Sequence, residues 1–283
     1  MHEFDTAMQL RPDSHGRWSG AFHDGWRIGK AINGGVAMAL GLTALGRHLA
    51  EDPAETQRHL DPVVLSAYFM TAALAGPCTV ETETLRCGRR LSTGQISVCQ
   101  LGPDGASVER MRALASLGNH HTVRTGRQAE PPDLPPPDRC IPSGAASPDF
   151  LSASPFLDRL DLRLDPDTAG WAVGKPSMRG LMRGWLRLKD GREPDTTMLM
   201  WALDAFPPVA FDLGIYGWAP TLEFTGHVRR RPAAGWLRVV LSSDTMTGDL
   251  MEEDATIWDS AGNLVAQSRQ LCSVRPVPPA PGT

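Results

Sequence analysis

The chain has 283 residues, 41% hydrophobic and 21% charged, with a formal net charge of -4, the composition of a folded globular protein large enough for one big domain or two ordinary ones. It holds no basic tract with interleaved aromatics to follow a phosphate backbone and no run of about 18 apolar residues to span a membrane, and its start, MHEFDTAMQLRPD, lacks the apolar stretch of a signal peptide. The five cysteines are scattered, with no C-x-x-C pair and no His/Cys zinc spacing, so a reducing, cytoplasmic setting without a metal is expected.

In chain order, WSGAF (18–22) is an early strand. Residues 33–49, NGGVAMALGLTALGRHL, place Met38, Leu42, Leu45 and Leu49 at helical spacing, which predicts a helix opening on glycines. Strands follow: Val63, Leu65, Ala67 and Phe69 alternate, and after a turn at Gly76-Pro77 CTVETETL (78–85) alternates again. GQISVCQL (94–101) runs to the turn GPDG (102–105), and MRALASLG (111–118) closes the set. Residues 124–155, rich in Pro, Ser, Gly and Ala, carry neither period and read as a linker. Beyond it GWLRL (184–188) is an early strand, and Asp195 is placed to cap a helix that two prolines, Pro207 and Pro208, would end. PTLEFTGHV (220–228), WLRVVLSS (236–243), LMEEDATIWD (250–259) and LVAQSRQLC (264–272) read as the last strands, with turns at Ala233-Ala234-Gly235 and SAGN.

The two sets repeat. Leu65 precedes Leu222 by 157 positions, Gly76 precedes Gly235 by 159 and Gly105 precedes Gly262 by 157. A lone helix that is apolar on more than one side needs a curved sheet wrapped around it. The expected fold is therefore α+β: two tandem hot-dog units, each an antiparallel sheet around one central helix. The boundaries are set at 1–123 for the first unit, 124–155 for the linker, 156–275 for the second unit and 276–283 for a tail.

One residue stands apart from this pattern. Asp204 sits in MLMWALDAFPP among Met, Leu, Trp and Phe, as a solvent-facing helix acid, an acid paired with a distant Arg, or a functional group. NGGVAMAL, HLDPVVLSAYFMTAALAGPCTVETETLRCGRRLSTGQISV, ALDAFPP, PTLEFTGHVRRRP and NLVAQSRQL, in this order and spacing, resemble the acyl-CoA thioesterase II type of double hot-dog family, in its thioesterase-like branch. The resemblance implies an acyl-CoA thioesterase of fatty acid metabolism. It assigns catalysis to Asp204, Thr221 and Gln270, which would together hold a nucleophilic water; the helix opening at Asn33, Gly34 and Gly35 is the expected substrate-binding site, since backbone N–H groups at a helix start can meet an acyl carbonyl and glycines permit its close approach. This chain has Asn33 where the best-known members carry an aromatic. The resemblance further implies a coenzyme A or carrier-protein thioester as substrate, a homo-oligomer, and no cofactor or metal; nucleic acid and membrane are not expected partners.

The chemistry suits these residue types. A thioester is already activated, so its hydrolysis needs an oriented water, a base and donors for the oxyanion. An aspartate desolvated by Met198, Trp201, Ala205 and Phe206 becomes a stronger base than its usual pKa of about 3.9 allows. Gln and Thr can fix a water without neutralising the acid. In PTLEFTGHV, however, Leu222 and Phe224 alternate against Thr221, Glu223 and Thr225, which sets Thr221 on the polar face. Other chemistries lack their signatures: there is no G-x-S-x-G elbow, no H-E-x-x-H, and GWRIGKA falls one residue short of a phosphate loop. His120-His121 reads as exposed rather than ligating, and Arg229-Arg230-Arg231 as a solvated strand end or a contact for an anionic substrate. The alternatives are a hot-dog hydratase or dehydratase, with His227 as its histidine, and a non-catalytic acyl-thioester-binding protein in which Asp204 is structural.

Overall fold

The alternating segments assemble into one continuous antiparallel sheet in a computed structural model that describes residues 1–52, 54, 58–120 and 126–276. His121, the 123/124 boundary and residues 277–283 of the expected tail lie outside the described residues. The first half contains α1 (Glu3–Ala7), β1 (Arg11–Ser14), β2 (Arg17–Phe22), a small ribbon of β3 (Arg27–Ile28) and β4 (Ala31–Ile32), α2 (Gly34–Glu51), β5 (Asp61–Phe69), β6 (Gly76–Arg86), β7 (Ser92–Leu101) and β8 (Ser107–Gly118). The second contains β9 (Ile141–Pro142), α3 (Pro148–Ala153), β10 (Leu160–Leu164), β11 (Leu181–Leu188), α4 (Thr196–Ala202), β12 (Gly217–Trp218), β13 (Thr221–Val228), β14 (Leu237–Ser242), β15 (Met246–Thr247), β16 (Leu250–Trp258), β17 (Leu264–Ser273) and β18 (Arg275–Pro276).

Among the described residues 14 strands share the main sheet, in the order β1-β2-β6-β7-β8-β5-β13-β17-β16-β14-β11-β10-β9, with β15 beside β16. The halves join where β5 pairs with β13, from Tyr68 opposite Glu223 to Val64 opposite His227. The repeat extends to register. Ala113 faces Ala67 and Ile96 across its neighbouring strands, and Gln270 faces Phe224 and Glu253 in the same way, each 157 positions later. This is the double hot-dog architecture that the periodicity predicts.

Each central helix exists because its sequence is apolar all round. In α2, Met38, Leu40, Leu42, Leu45 and Leu49 are buried together with the intervening alanines, so sheet and second helix must cover several of its faces. Asn33 caps it by accepting a hydrogen bond from the Val36 N–H. Gly35 allows α2 to approach α4: a Cβ there would lie 2.8 Å from the Trp201 carbonyl oxygen. Asp195 caps α4, as its position predicts, by accepting from the Met198 N–H at 2.7 Å.

Two local outcomes differ from the sequence reading. The helix predicted to reach Pro207 stops at Ala202, because the prolines bar helical backbone just ahead and the chain tightens into a turn, with Asp204 N–H bonded to the Trp201 carbonyl and Ala205 N–H to that of Ala202. Asp204 therefore lies in the turn after the helix. The segment read as a linker also carries structure: β9 extends the sheet edge beside β10, and Ser147 caps α3 with Pro148 in its first turn.

Candidate active site

The turn after α4 aims Asp204 at the amino-terminal end of α2, in the other half of the chain. Its Oδ2 accepts from the Gly35 N–H at 2.7 Å and from Asn33 Nδ2 at 2.9 Å, and the same Asn33 nitrogen donates to the Asp204 carbonyl at 2.8 Å. Gly34 leaves room for this approach, since a Cβ on it would stand 3.1 Å from Oδ2 and from the Phe69 ring. No basic side chain pairs with Asp204 among the described residues, and its Oδ1 has no hydrogen-bond partner among them. Burial pushes this carboxyl up to about 6, against the opposing pull of the Gly35 N–H and the Asn33 amide. The acid is thus neither solvent-facing nor ion-paired.

Thr221 and Gln270 reach each other through an irregularity in β13. Opposite β17 the register slips between Thr221 and Glu223, so that Leu222 is the extra residue and Thr221 faces Cys272. Cys272 and Gln270 are buried on the inner face, and the bulge brings Thr221 onto it, whereas Glu223, Thr225 and His227 remain outside. The strict alternation assumed for this strand is corrected by that one residue. Thr221 Oγ1 then donates to Gln270 Oε1 at 2.6 Å.

A further carboxylate continues the chain of bonds. Gln270 Nε2 donates to Glu253 Oε1 at 2.6 Å, and the Val209 N–H donates to Glu253 Oε2 at 2.6 Å. Burial pushes Glu253 up to about 7; its two hydrogen bonds oppose this, while the charges of Asp204 and Asp254 add to it. Sequence reasoning did not single out Glu253, because LMEEDA offers three adjacent acids. The signal was there in the phase of the strand: Met251, Glu253, Ala255 and Ile257 share one parity, and all four are buried.

Asp204, Thr221, Gln270 and Glu253 all line one cavity of about 420 Å³, together with Asn33 and Gly34. Its remaining wall is largely apolar and includes Phe69, Met111, Phe156, Leu203, Phe206 and Trp218. Phe150 and Ser154, from the segment read as a linker, also form part of the wall, and the Phe150 ring meets that of Phe211 edge-on with centroids 6.4 Å apart. Arg110 is the basic side chain in the wall, bonded to Gln100 and Thr71.

The predicted residues thus separate by geometry. The structure brings Asp204, Thr221, Gln270, Asn33 and Gly34 to one cavity, with Gly35 just behind as a donor to Asp204. Asn33 and Gly35, expected to meet substrate, spend their donors on Asp204, whereas the Gly34 N–H has no acceptor among the described residues. His227 is not part of the cavity wall. His120, read as exposed, is half-buried, with its N–H on Asp61 and its ring on the Pro62 carbonyl. Arg231 is not a free strand end: it pairs with Asp61 at 3.0 Å.

Comparisons with known proteins place the chain in a family. Residues 22–118 match the family model of the acyl-CoA thioesterase N-terminal domain, and residues 132–274 match that of the C-terminal domain. A putative thioesterase II from Thermobifida fusca is similar in structure, with a TM-score of 0.84 and 30% identity over 97% of this chain and 98% of that one. A hot dog fold protein of unknown function from Alicyclobacillus acidocaldarius aligns with a TM-score of 0.82 at 20% identity, over 98% and 99% of the two chains. An uncharacterized protein of Mycobacterium tuberculosis is 29% identical over 96% of this chain and 98% of its own.

Proposed function

We propose the following reaction for this chain, which belongs to the acyl-CoA thioesterase family and is a thioester hydrolase: a water held among Asp204, Thr221 and Gln270 attacks the carbonyl carbon of an acyl thioester. The observation that carries this reading is the state of Asp204, a partly buried acid without a cation among the described residues, tied through one oxygen to the start of α2 and with the other free of partners there. Such a group is poised as a base near neutral pH.

In the proposed sequence Asp204 Oδ1 takes a proton from the water as its oxygen bonds to the acyl carbon. Thr221 Oγ1 accepts the water's second proton in a hydrogen bond, and the free N–H of the Gln270 amide donates to the water oxygen. The carbonyl oxygen becomes an oxyanion facing the Gly34 N–H, where that one unpaired donor and the dipole of an 18-residue helix favour negative charge. Collapse breaks the carbon–sulfur bond, the thiolate leaves, and the proton held by Asp204 passes to it. Water and thioester are consumed, acid and thiol are formed, and no cofactor or metal enters the balance.

The apolar wall suits an acyl chain, and Arg110 suits the phosphate-bearing arm of coenzyme A or of an acyl carrier protein. Self-association is proposed through the outer face of the central strands, where Tyr68 and Leu114 are more than half exposed, and a cytoplasmic location goes with the thioester substrate. A hydratase is disfavoured because His227 stays on the outer face of β13. A purely binding role is disfavoured by the cost of keeping Glu253, buried, and Asp204, partly buried, without a counter-ion.

Release of free thiol from a panel of acyl-CoAs, repeated with Asp204→Asn, tests the reading. Turnover by the wild type and a loss of about 100-fold or more in the folded variant are expected. Unchanged turnover in the variant rules out Asp204 as the base, and binding without thiol release rules out hydrolysis.

A further inference from the structure

Glu253 is a carboxylate that the proposed reaction does not consume, and no cation accounts for its charge. It is 3% exposed, and no Lys, Arg or His pairs with it among the described residues. In the first half the corresponding cross-strand pair is Ile96 and Ala113, both buried and apolar. Packing a helix against this sheet therefore requires no polar group at that rank. The second half nevertheless places Glu253 opposite Gln270 and binds each of its oxygens once, Oε2 to the Val209 N–H and Oε1 to Gln270 Nε2.

A carboxylate can only accept, and this decides which end of the Gln270 amide must face it. The nitrogen turns to Glu253, so the oxygen turns to Thr221, whose hydroxyl has to donate. Thr221 Oγ1 is then left with lone pairs alone for anything in the cavity. We infer that Glu253 is a positioning residue: through the orientation of Gln270 it points the Thr221 hydroxyl proton away from the cavity, so that Thr221 accepts from the attacking water instead of donating to it. A water that donates to both Asp204 and Thr221 keeps a lone pair for the acyl carbon. One that accepts from Thr221 has that electron density tied up.

The inference rests on the thioester-hydrolysis reading, and its test separates the two. Glu253→Gln keeps the shape of the side chain but adds a donor. If its oxygen stays on the Val209 N–H, its new NH2 group meets Gln270 Nε2, and the Gln270 amide turns over. Assayed at about pH 8.5, where the wild-type carboxyl is ionised, Glu253→Gln is expected to lower kcat by about tenfold or more with KM within about twofold. In a Thr221→Ala background the same substitution is expected to change kcat by less than about twofold, since there is no hydroxyl left to orient. Equal losses in both backgrounds, no loss in the wild type, or a loss confined to KM overturns the inference. Should Glu253→Gln fail to fold, Glu253→Asp, which withdraws the same oxygens by one carbon, goes through the same cycle under the same criteria. A wild type that releases no thiol from any acyl thioester removes the reaction itself, a result distinct from a failed cycle.

Discussion

An ordinary aspartate, with a pKa of about 3.9, is almost wholly ionised at neutral pH and a poor acceptor of a proton from water, so the address of Asp204 sets the pH range in which it can work. Burial raises its carboxyl to about 6. The base form is then present above that value and lost below it, so kcat is expected to hold level at high pH, to decline as Glu253 takes up a proton at about 7, and to fall further as pH drops through about 6. A rate profile flat down to about pH 4 contradicts this role. Asn33→Ala removes a donor that favours the charged form, so its acid limb is expected to move to higher pH, with lower kcat and a helix cap lost at about 1 kcal/mol of stability. A stopped assay across pH and a thermal melt check both. At this scale Asp204 was legible because an acid in an apolar run is conspicuous by contrast, whereas Gln270 was named only through the family resemblance, its strand face reading equally well as one turned to water. Glu253 was hidden by its neighbours Glu252 and Asp254, and only the phase of the strand separates it from them.

Elements, more than single residues, decide whether these groups meet. Strand alternation read from the letters sets Thr221 outside, and one extra residue in β13 sets it inside. Bulges of this kind have no fixed sequence mark when the bulged residue is Leu222 rather than Gly, which is why the face of Thr221 could not be read in advance. The short α3 was missed for a related reason: Pro and Ser dominate its surroundings, although Ser147 followed by Pro148 is itself a helix-start signal. The contact of α2 with α4 was half legible, since the glycines announced a close approach without saying to what. Gly35→Ala is expected to push the helices apart and loosen the N–H that holds Asp204, costing about 1–3 kcal/mol and lowering kcat together with the melting temperature. A variant with unchanged melting temperature and turnover would show that α2 moves freely at that point.

Across the whole molecule, Asp204, the proposed base, belongs to the second half and the groups that hold it, Asn33 and Gly35, belong to the first, so the tandem arrangement is part of the proposed site. A second tie between the halves is Asp61, buried in β5, which binds Arg231 and the Thr196 hydroxyl. Burial pushes the Asp61 carboxyl up, but Arg231, the His120 N–H and Thr196 outweigh it and hold the group below the usual carboxylate range. Its contribution is therefore present above the unfolded-state pKa and fades as pH falls below it. Asp61→Asn is expected to lose about 1–3 kcal/mol in urea unfolding at neutral pH, a figure reduced for the half-exposed Arg231, and the deficit should narrow below about pH 4. The repeat made this architecture readable from sequence, whereas ties such as Asp61 to Arg231 link positions that no local pattern connects. What the assembled site is proposed to do is activate water, and a single turnover in 18O-labelled water, with enzyme in excess over acyl-CoA, tests that most directly. Label is expected in the carboxylic acid product from the first turnover and none in the enzyme. Unlabelled acid with label in the Asp204 carboxyl would mean that Asp204 attacks the thioester itself, contradicting the water-based reaction.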